Sequence, residues 1–152
     1  YEHSLDWHLL DYPLNRGQQK LITDLNQLYR REPSLWQKDY EFDGFCWLVV
    51  DDSGNSVLGF VRFADDWHDH IVVLLNLTPV PRDGYRVGVP SGRSYEVILN
   101  SDHGCYGGSN YAIGGNEFTP AKTPLHLQQS SLTLSMTPLA CVILSPKGTA
   151  SK

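Results

Sequence analysis

From residue 41 onward, short apolar runs rich in β-branched residues alternate with Gly, Pro, Asn, Asp and Ser, and no stretch keeps a helical period. A chain patterned this way cannot bury its apolar side chains as a helix bundle, and regularly spaced strands with turns between them predict an antiparallel β-sandwich. Strands are expected at 45–50, 56–63, 71–77, 84–89, 93–99, 125–128, 131–136 and 139–144. Asp51-Asp52-Ser53-Gly54-Asn55 reads as a hairpin turn, and residues 64–69 as a second, acidic one. Thr78-Pro79-Val80-Pro81 cannot supply a full ladder of donors, so it belongs at a sheet edge or in a crossing segment. In the last strand Ala140, Cys141, Val142, Ile143 and Leu144 are all apolar, which predicts burial on both faces.

Before residue 40 the period is helical. Leu21, Ile22, Leu25, Leu28 and Tyr29 form one apolar stripe, with Asn15 and Gln18 placed as a capping box and Arg30 and Arg31 in the last turn. Pro33 ends this helix, and a short second turn over 33–37 is expected to bury Leu35 and Trp36. The stripe is expected to dock in part on the β-domain or on a second molecule, leaving an enlarged apolar patch. The mainly β fold is therefore preceded by one or two helices. The chain divides into an N-terminal piece over 1–40, an all-β domain over 41–148 and a flexible tail over 149–152. It opens without Met, on Tyr1, which reads as a piece cut from a longer protein.

A net charge of -5 with scattered basic residues argues against nucleic acid as a partner. The most apolar run, over 71–75, is strand-length and far short of the roughly 20 residues of a membrane-spanning helix, and the N-terminus lacks a signal pattern. Three cysteines without CxxC spacing point to a reducing, cytoplasmic setting. Cys46 and Cys141 are expected as inert core residues, with Cys105 in a loop. Asn76-Leu77-Thr78 matches a glycosylation acceptor, a motif too short to carry weight alone.

Several clusters bear on chemistry. His68 and His70, inside Asp65-Asp66-Trp67-His68-Asp69-His70, would share one face of an extended strand, but no further ligands accompany them. An exposed, metal-free acidic tip is expected there. Asp83, Glu96, Asp102 and Glu117 are candidate paired carboxylates only if the fold makes two of them converge. The long stretch 100–123, rich in Gly, Ser, Asn and Tyr, is a functional-loop candidate. Tyr106, Tyr111 and Phe118, with Trp67 and Tyr85 elsewhere, offer ring faces for sugar stacking, and Asn110 with its neighbouring Asn and Ser residues offers partners for hydroxyls.

The runs SLDWHLL (4–10), LDYPLNRGQQKLITDLNQLYRREPSLW (10–36), FCWLVVDD (45–52), NLTPVPR (76–82), YEVILNSD (95–102), YGGSN (106–110) and TPLA (137–140) closely resemble bacterial 1,4-α-glucan branching enzymes of the α-amylase superfamily. The resemblance implies the C-terminal part of a glycogen-synthesising enzyme that moves a cleaved α-1,4-glucan chain to a 6-hydroxyl through a covalent intermediate. On this pattern residues 15–31 are the last helix of a catalytic β/α barrel, and the sandwich follows from about residue 41. Asp6 and Trp7 then lie in the connection after the eighth barrel strand, as glucan contacts or as loop fasteners. No stretch matches the family's catalytic carboxylates, so no catalytic residue is expected here, nor a cofactor or metal. The implied partners are α-glucan and the rest of the barrel. Two roles follow for the chain itself: support of the barrel, or a non-catalytic glucan-binding module using Tyr106, Asn110, Tyr111 and Trp67.

Overall fold

The computed structural model describes residues 5–148, so the opening residues 1–4 and the expected flexible tail over 149–152 lie outside the described residues. Helix α1 spans Pro13–Arg31. It is followed by β1 (Phe45–Val49), β2 (Val57–Phe63), β3 (His70–Asn76), β4 (Arg82–Val89), β5 (Tyr95–Asn100), β6 (Glu117–Phe118), β7 (Ser130–Met136) and β8 (Ala140–Pro146).

The start of α1 corrects the capping-box expectation. Tyr12 is the N-cap and gives no side-chain bond, while Pro13 at the first helical position supplies a pre-set φ without wasting a donor. The Asn15 amide instead turns back and donates to the Leu9 carbonyl at 3.0 Å. Residues 33–35 form a 3-10 turn. Leu35 packs, but Trp36 stays 42% exposed, contrary to expectation.

Six strands form one antiparallel sheet in the order β1-β2-β3-β8-β5-β6, faced by a two-stranded ribbon of β4 and β7. Period-2 alternation divides the side chains between two cores. Val57, Val61, Val72, Leu74, Val142 and Leu144 point inward, against Val87, Val89, Leu132, Leu134 and Met136 of the ribbon. On the opposite face Ile71, Val73 and Ile143 meet Leu28, with Leu21 and Leu25 packed alongside. Both faces of β3 and β8 are thereby covered, which explains their unbroken apolar runs. Burying Leu28 alone is worth about 1.5–3 kcal/mol. The helical stripe is split as expected: Leu21, Leu25 and Leu28 dock on the sheet, while Ile22 and Tyr29 remain about half exposed.

The Thr-Pro-Val-Pro segment crosses from the six-stranded sheet to the ribbon. Buried Asn76 fastens it, its amide nitrogen donating to the Val80 and Thr137 carbonyls and its oxygen accepting from the Thr78 backbone and hydroxyl.

Four further expectations are corrected. Residues 125–128 are not a strand; His126 and Leu127 adopt left-handed backbone and reverse the chain, closing a Leu125–Gln128 bridge. The two-residue β6 was not foreseen. Cys46 lies exposed on the edge strand β1 and is no core residue, whereas burial pushes the half-buried Cys141 thiol up to about 11. Finally, His70 is not part of an exposed acidic tip. It opens β3 fully buried, while Asp65 to His68 stay outside in the turn. Its Nδ1–H donates to the Trp67 carbonyl at 3.0 Å, because a carbonyl only accepts. Its Nε2 then accepts from the Tyr95 hydroxyl at 2.8 Å, and that oxygen accepts from the Ser91 N–H at 3.1 Å. Loss of water around the ring lowers the His70 pKa to about 4. His68 and His70 therefore do not share a face. Among the described residues no group of three or more His, Cys, Asp or Glu gathers in a way that could hold a metal ion.

Candidate functional site

The loop between β5 and β6 is ordered by its own polar groups. Buried Asp102 accepts from the Ser109 backbone at 2.7 Å, the Ser109 hydroxyl at 2.8 Å and the Tyr111 backbone at 2.8 Å. Asn110, in left-handed backbone, accepts at Oδ1 from the Gly104 N–H at 2.6 Å. A 3-10 turn over Gly104–Tyr106 is closed by Gly107 at φ 89°, a geometry that favours glycine.

This loop is clamped to α1. The Tyr106 hydroxyl donates to Asp24 at 2.7 Å, Lys20 pairs with the same carboxylate at 2.8 Å, and the Lys20 ammonium stands 5.8 Å from the Tyr106 ring centre. Burial, helped by Asp24, pushes the Tyr106 phenol above its usual range, while the bonds from Lys20 and Tyr106 hold the Asp24 carboxyl below its own. Gly17 allows the close approach, since a Cβ there would stand 2.6 Å from the Tyr106 carbonyl oxygen. On the far side the Tyr111 hydroxyl donates to both oxygens of Asp83 at 3.0 Å, which raises the phenol's pKa.

Between loop and sheet lies a cavity of about 400 Å³. Tyr106, Asn110 and Tyr111 line it together, with Asn100, His103, Cys105 and Asn116 beside an apolar wall that includes Val97 and Ile113. No carboxylate, lysine or arginine is among the lining residues. The other sequence candidates lie elsewhere. Trp67 borders a separate hollow with Lys38, Phe63 and Pro90, its ring 3.8 Å from that of His68. Trp7, in the 3-10 turn Trp7–Asp11, is 67% exposed, and Asp6 caps that turn without a side-chain bond.

The candidate carboxylates do not converge around a cleft. Asp102 is committed to its loop and Asp83 to Tyr111. Glu117 pairs with Lys147, while Glu96 lies opposite it in the β5–β6 ladder.

Sequence reasoning missed a second surface. Phe45 and Trp47 of β1 stand opposite Arg62 and Phe60 of β2, so all four share the outer face that α1 covers further along. Their rings interlock, Phe45–Trp47 edge-on at 5.0 Å and Phe45–Phe60 stacked at 5.3 Å. Trp47 nevertheless remains 49% exposed and Phe45 38%. Beside them a groove of about 480 Å³ runs along α1, with Arg62, Asp39, Asn26 and Tyr29 among its polar lining and Phe60 in its wall. Arg62 is held there by an ion pair with Asp39 and by the Gly44 carbonyl at 3.2 Å. Part of the signal was present in the sequence, since Phe45 and Trp47 fall on one parity of a strand, but the edge position of that strand comes from the sheet order.

The fold and the match agree. The family model for the alpha amylase C-terminal all-beta domain matches residues 47–147. The chain belongs to this family. It is 46% identical over 147 residues to the 1,4-alpha-glucan branching enzyme of Pseudomonas fluorescens (strain Pf0-1), covering 97% of this chain and 20% of the relative. Its identity to the branching enzyme of Cupriavidus pinatubonensis is 46% over 150 residues, covering 98% and 20%. The chain thus spans about one fifth of the length of the curated relatives it matches. Among solved structures, an alpha-amylase from H. orenii aligns over 87% of this chain and 22% of its own, with 16% identity and a TM-score of 0.45. Among the described residues no helix is long and apolar enough to cross a membrane.

Proposed function

We propose that the chain serves as the C-terminal region of a cytoplasmic 1,4-α-glucan branching enzyme, supporting the catalytic barrel without supplying its catalytic carboxylates. The observation that carries this reading is the likeness to branching enzymes along 97% of the chain, including the helix that precedes the matched all-β domain. The helix fits such a role because its apolar stripe is only partly used. Leu21, Leu25 and Leu28 are spent on the sheet, while Leu14, Ile22 and Tyr29 stay exposed, free to meet a larger body. Catalysis by retaining glycosyl transfer needs two carboxyl groups about 5–5.5 Å apart at the scissile bond, and of the candidate carboxylates Asp102, Asp83 and Glu117 are committed to structural partners. The test is incubation of the chain with amylose, followed by debranching and chain-length analysis. No new α-1,6 branches are expected. Branches above a buffer control, abolished by replacing a carboxylate within residues 5–148, would sink this reading.

A second role, direct contact with α-glucan, is favoured by the exposed ledge of Phe45 and Trp47 beside its groove. Sugar rings present apolar C–H faces that rest on aromatic rings, and Arg62, Asp39 and Asn26 offer donors and acceptors for the hydroxyls alongside. Electrophoretic retardation in a glycogen-containing gel is the measure. Trp47→Ala is expected to weaken retardation by threefold or more (about 1 kcal/mol for an exposed aromatic contact), with a cooperative thermal transition retained. Equal retardation of Trp47→Ala and the parent chain would remove the ledge from consideration.

A further inference from the structure

The cavity under the β5–β6 loop has three properties that together define a ligand. Its lining carries no carboxylate, lysine or arginine, and its one imidazole, His103, accepts from the Cys105 N–H at Nδ1 at 3.2 Å, a bond that keeps that nitrogen unprotonated, so no fixed counter-charge awaits a phosphate, carboxylate or amine. Its polar lining includes three amides, Asn100, Asn110 and Asn116, beside His103, Cys105 and the two tyrosines, and part of the amides' bonding capacity is unspent. Asn116 makes no side-chain hydrogen bond among the described residues, and Asn110 uses its oxygen on Gly104 while no bond is made by its nitrogen. An amide presents a donor and an acceptor side by side, which suits neighbouring hydroxyls that must both give and receive. Opposite the amides stands an apolar wall with Val97 and Ile113, and the Tyr106 and Tyr111 rings border it.

The site is also built before any ligand arrives. Asp102 gathers the loop from within, Asp24 and Lys20 hold Tyr106 from the helix, and Asp83 holds Tyr111 from β4. A pocket fixed by such contacts spares a ligand the entropy of ordering it. At about 400 Å³ it lies at the small end of the roughly 300–1,000 Å³ usual for small-molecule sites. That is room for the last units of a chain and not for a long stretch of it.

From neutrality, amide lining and size we infer that this cavity binds a chain end of neutral α-glucan, as a non-catalytic site separate from the aromatic ledge. The identity of the sugar rests on the α-glucan reading above; the cavity's preference for a neutral, hydroxyl-rich end does not. Affinity is about millimolar, because a shallow contact without charge has little binding energy to spend.

Cys105 lines the cavity and is exposed, so it reports occupancy. In a Cys46→Ser background Cys105 is the remaining exposed thiol among the described cysteines, with Cys141 half-buried. The probe is iodoacetamide alkylation of Cys105, followed by mass spectrometry, with maltose or with α-cyclodextrin, a ring of the same glucose units that has no end. Maltose at several times its dissociation constant is expected to slow alkylation about threefold or more, and α-cyclodextrin to leave the rate unchanged. Asn116→Ala, which removes an exposed side chain without internal bonds, is expected to raise the maltose concentration needed by about threefold to tenfold. Trp47→Ala is expected to keep full protection at Cys105. Absence of protection by maltose overturns the site even if the ledge binds glycogen. Equal protection by α-cyclodextrin overturns the chain-end assignment. Protection that survives Asn116→Ala but disappears in Trp47→Ala assigns the effect to the ledge and refutes the cavity. Failure of the glucan reading itself would appear differently, as maltose inert at Cys105 together with no retardation of the parent chain by glycogen.

Discussion

Acidification sets the burial of His70 against its basicity. In the unfolded chain the imidazole protonates near 6.5, whereas in the fold its pKa lies at about 4, chiefly because the ring has lost its water, with Arg93 and His68 pushing the same way. The unfolded state therefore binds more protons between these values. The stabilising difference is fully present above about pH 6.5 and is lost as pH falls toward 4. A gap of about 2.5 pH units at about 1.4 kcal/mol per unit makes this about 3 kcal/mol, a large share of a typical domain's stability of about 5–15 kcal/mol. The neutral ring also has no spare nitrogen, since Trp67 and Tyr95 occupy both. The assay is urea unfolding followed by tryptophan fluorescence from about pH 8 to about pH 4, on the parent chain and on His70→Gln. Glutamine keeps a donor and an acceptor but cannot protonate, so it costs about 1–3 kcal/mol at high pH and flattens the acid limb. Subtracting the two curves cancels the carboxylates and the other histidines, leaving a pH-dependent difference of about 3 kcal/mol. Identical slopes for the two proteins would refute the reasoning, because the proton taken up on unfolding would then belong to another group.

Gly17→Ala is expected to destabilise the chain by about 1–3 kcal/mol in urea unfolding, despite alanine's better helix propensity, because its Cβ meets the Tyr106 carbonyl. Leu28→Ala is expected to cost about 2–5 kcal/mol, and Ile22→Ala, on the exposed side of the same helix, under about 1 kcal/mol by the same measurement. Asp102→Ala leaves the Ser109 and Tyr111 backbone donors without their acceptor, so faster amide hydrogen exchange is expected over 103–111 and little change in β3 and β8.

The strands were legible where one physical rule decided them. In β2, β3, β7 and β8 the apolar alternation or the unbroken apolar run coincided with burial, and the expected boundaries fall within two residues of the observed ones. At 125–128 the apolar residues misled, because left-handed backbone at His126 and Leu127 is a tertiary outcome that no glycine announces. Cys46 misled for a related reason: apolar pattern marks a strand, but only the sheet order reveals that β1 is an edge. His70 is the reverse case, a polar residue made internal by partners 3 and 25 positions away. In the loop, composition singled out Tyr106, Asn110 and Tyr111, which do meet at one cavity. What holds them there, Asp24 and Gly17 on a helix more than eighty residues earlier, has no local signature.

The strand order carries a consequence for synthesis. β8, the last of the eight strands, is not added at a margin but slots between β3 and β5. Until it emerges from the ribosome, the β1–β2–β3 meander and the β5–β6 pair are unjoined, and β3 and β5 each lack the neighbour that satisfies one backbone edge. Domains generally fold as units once their parts are available, and here the completing part is the latest-made of the described strands. A nascent chain stalled before residue 140 is consequently a substrate for chaperones and proteases, whereas one in which residues 140–146 are available can close its sheet in a single step.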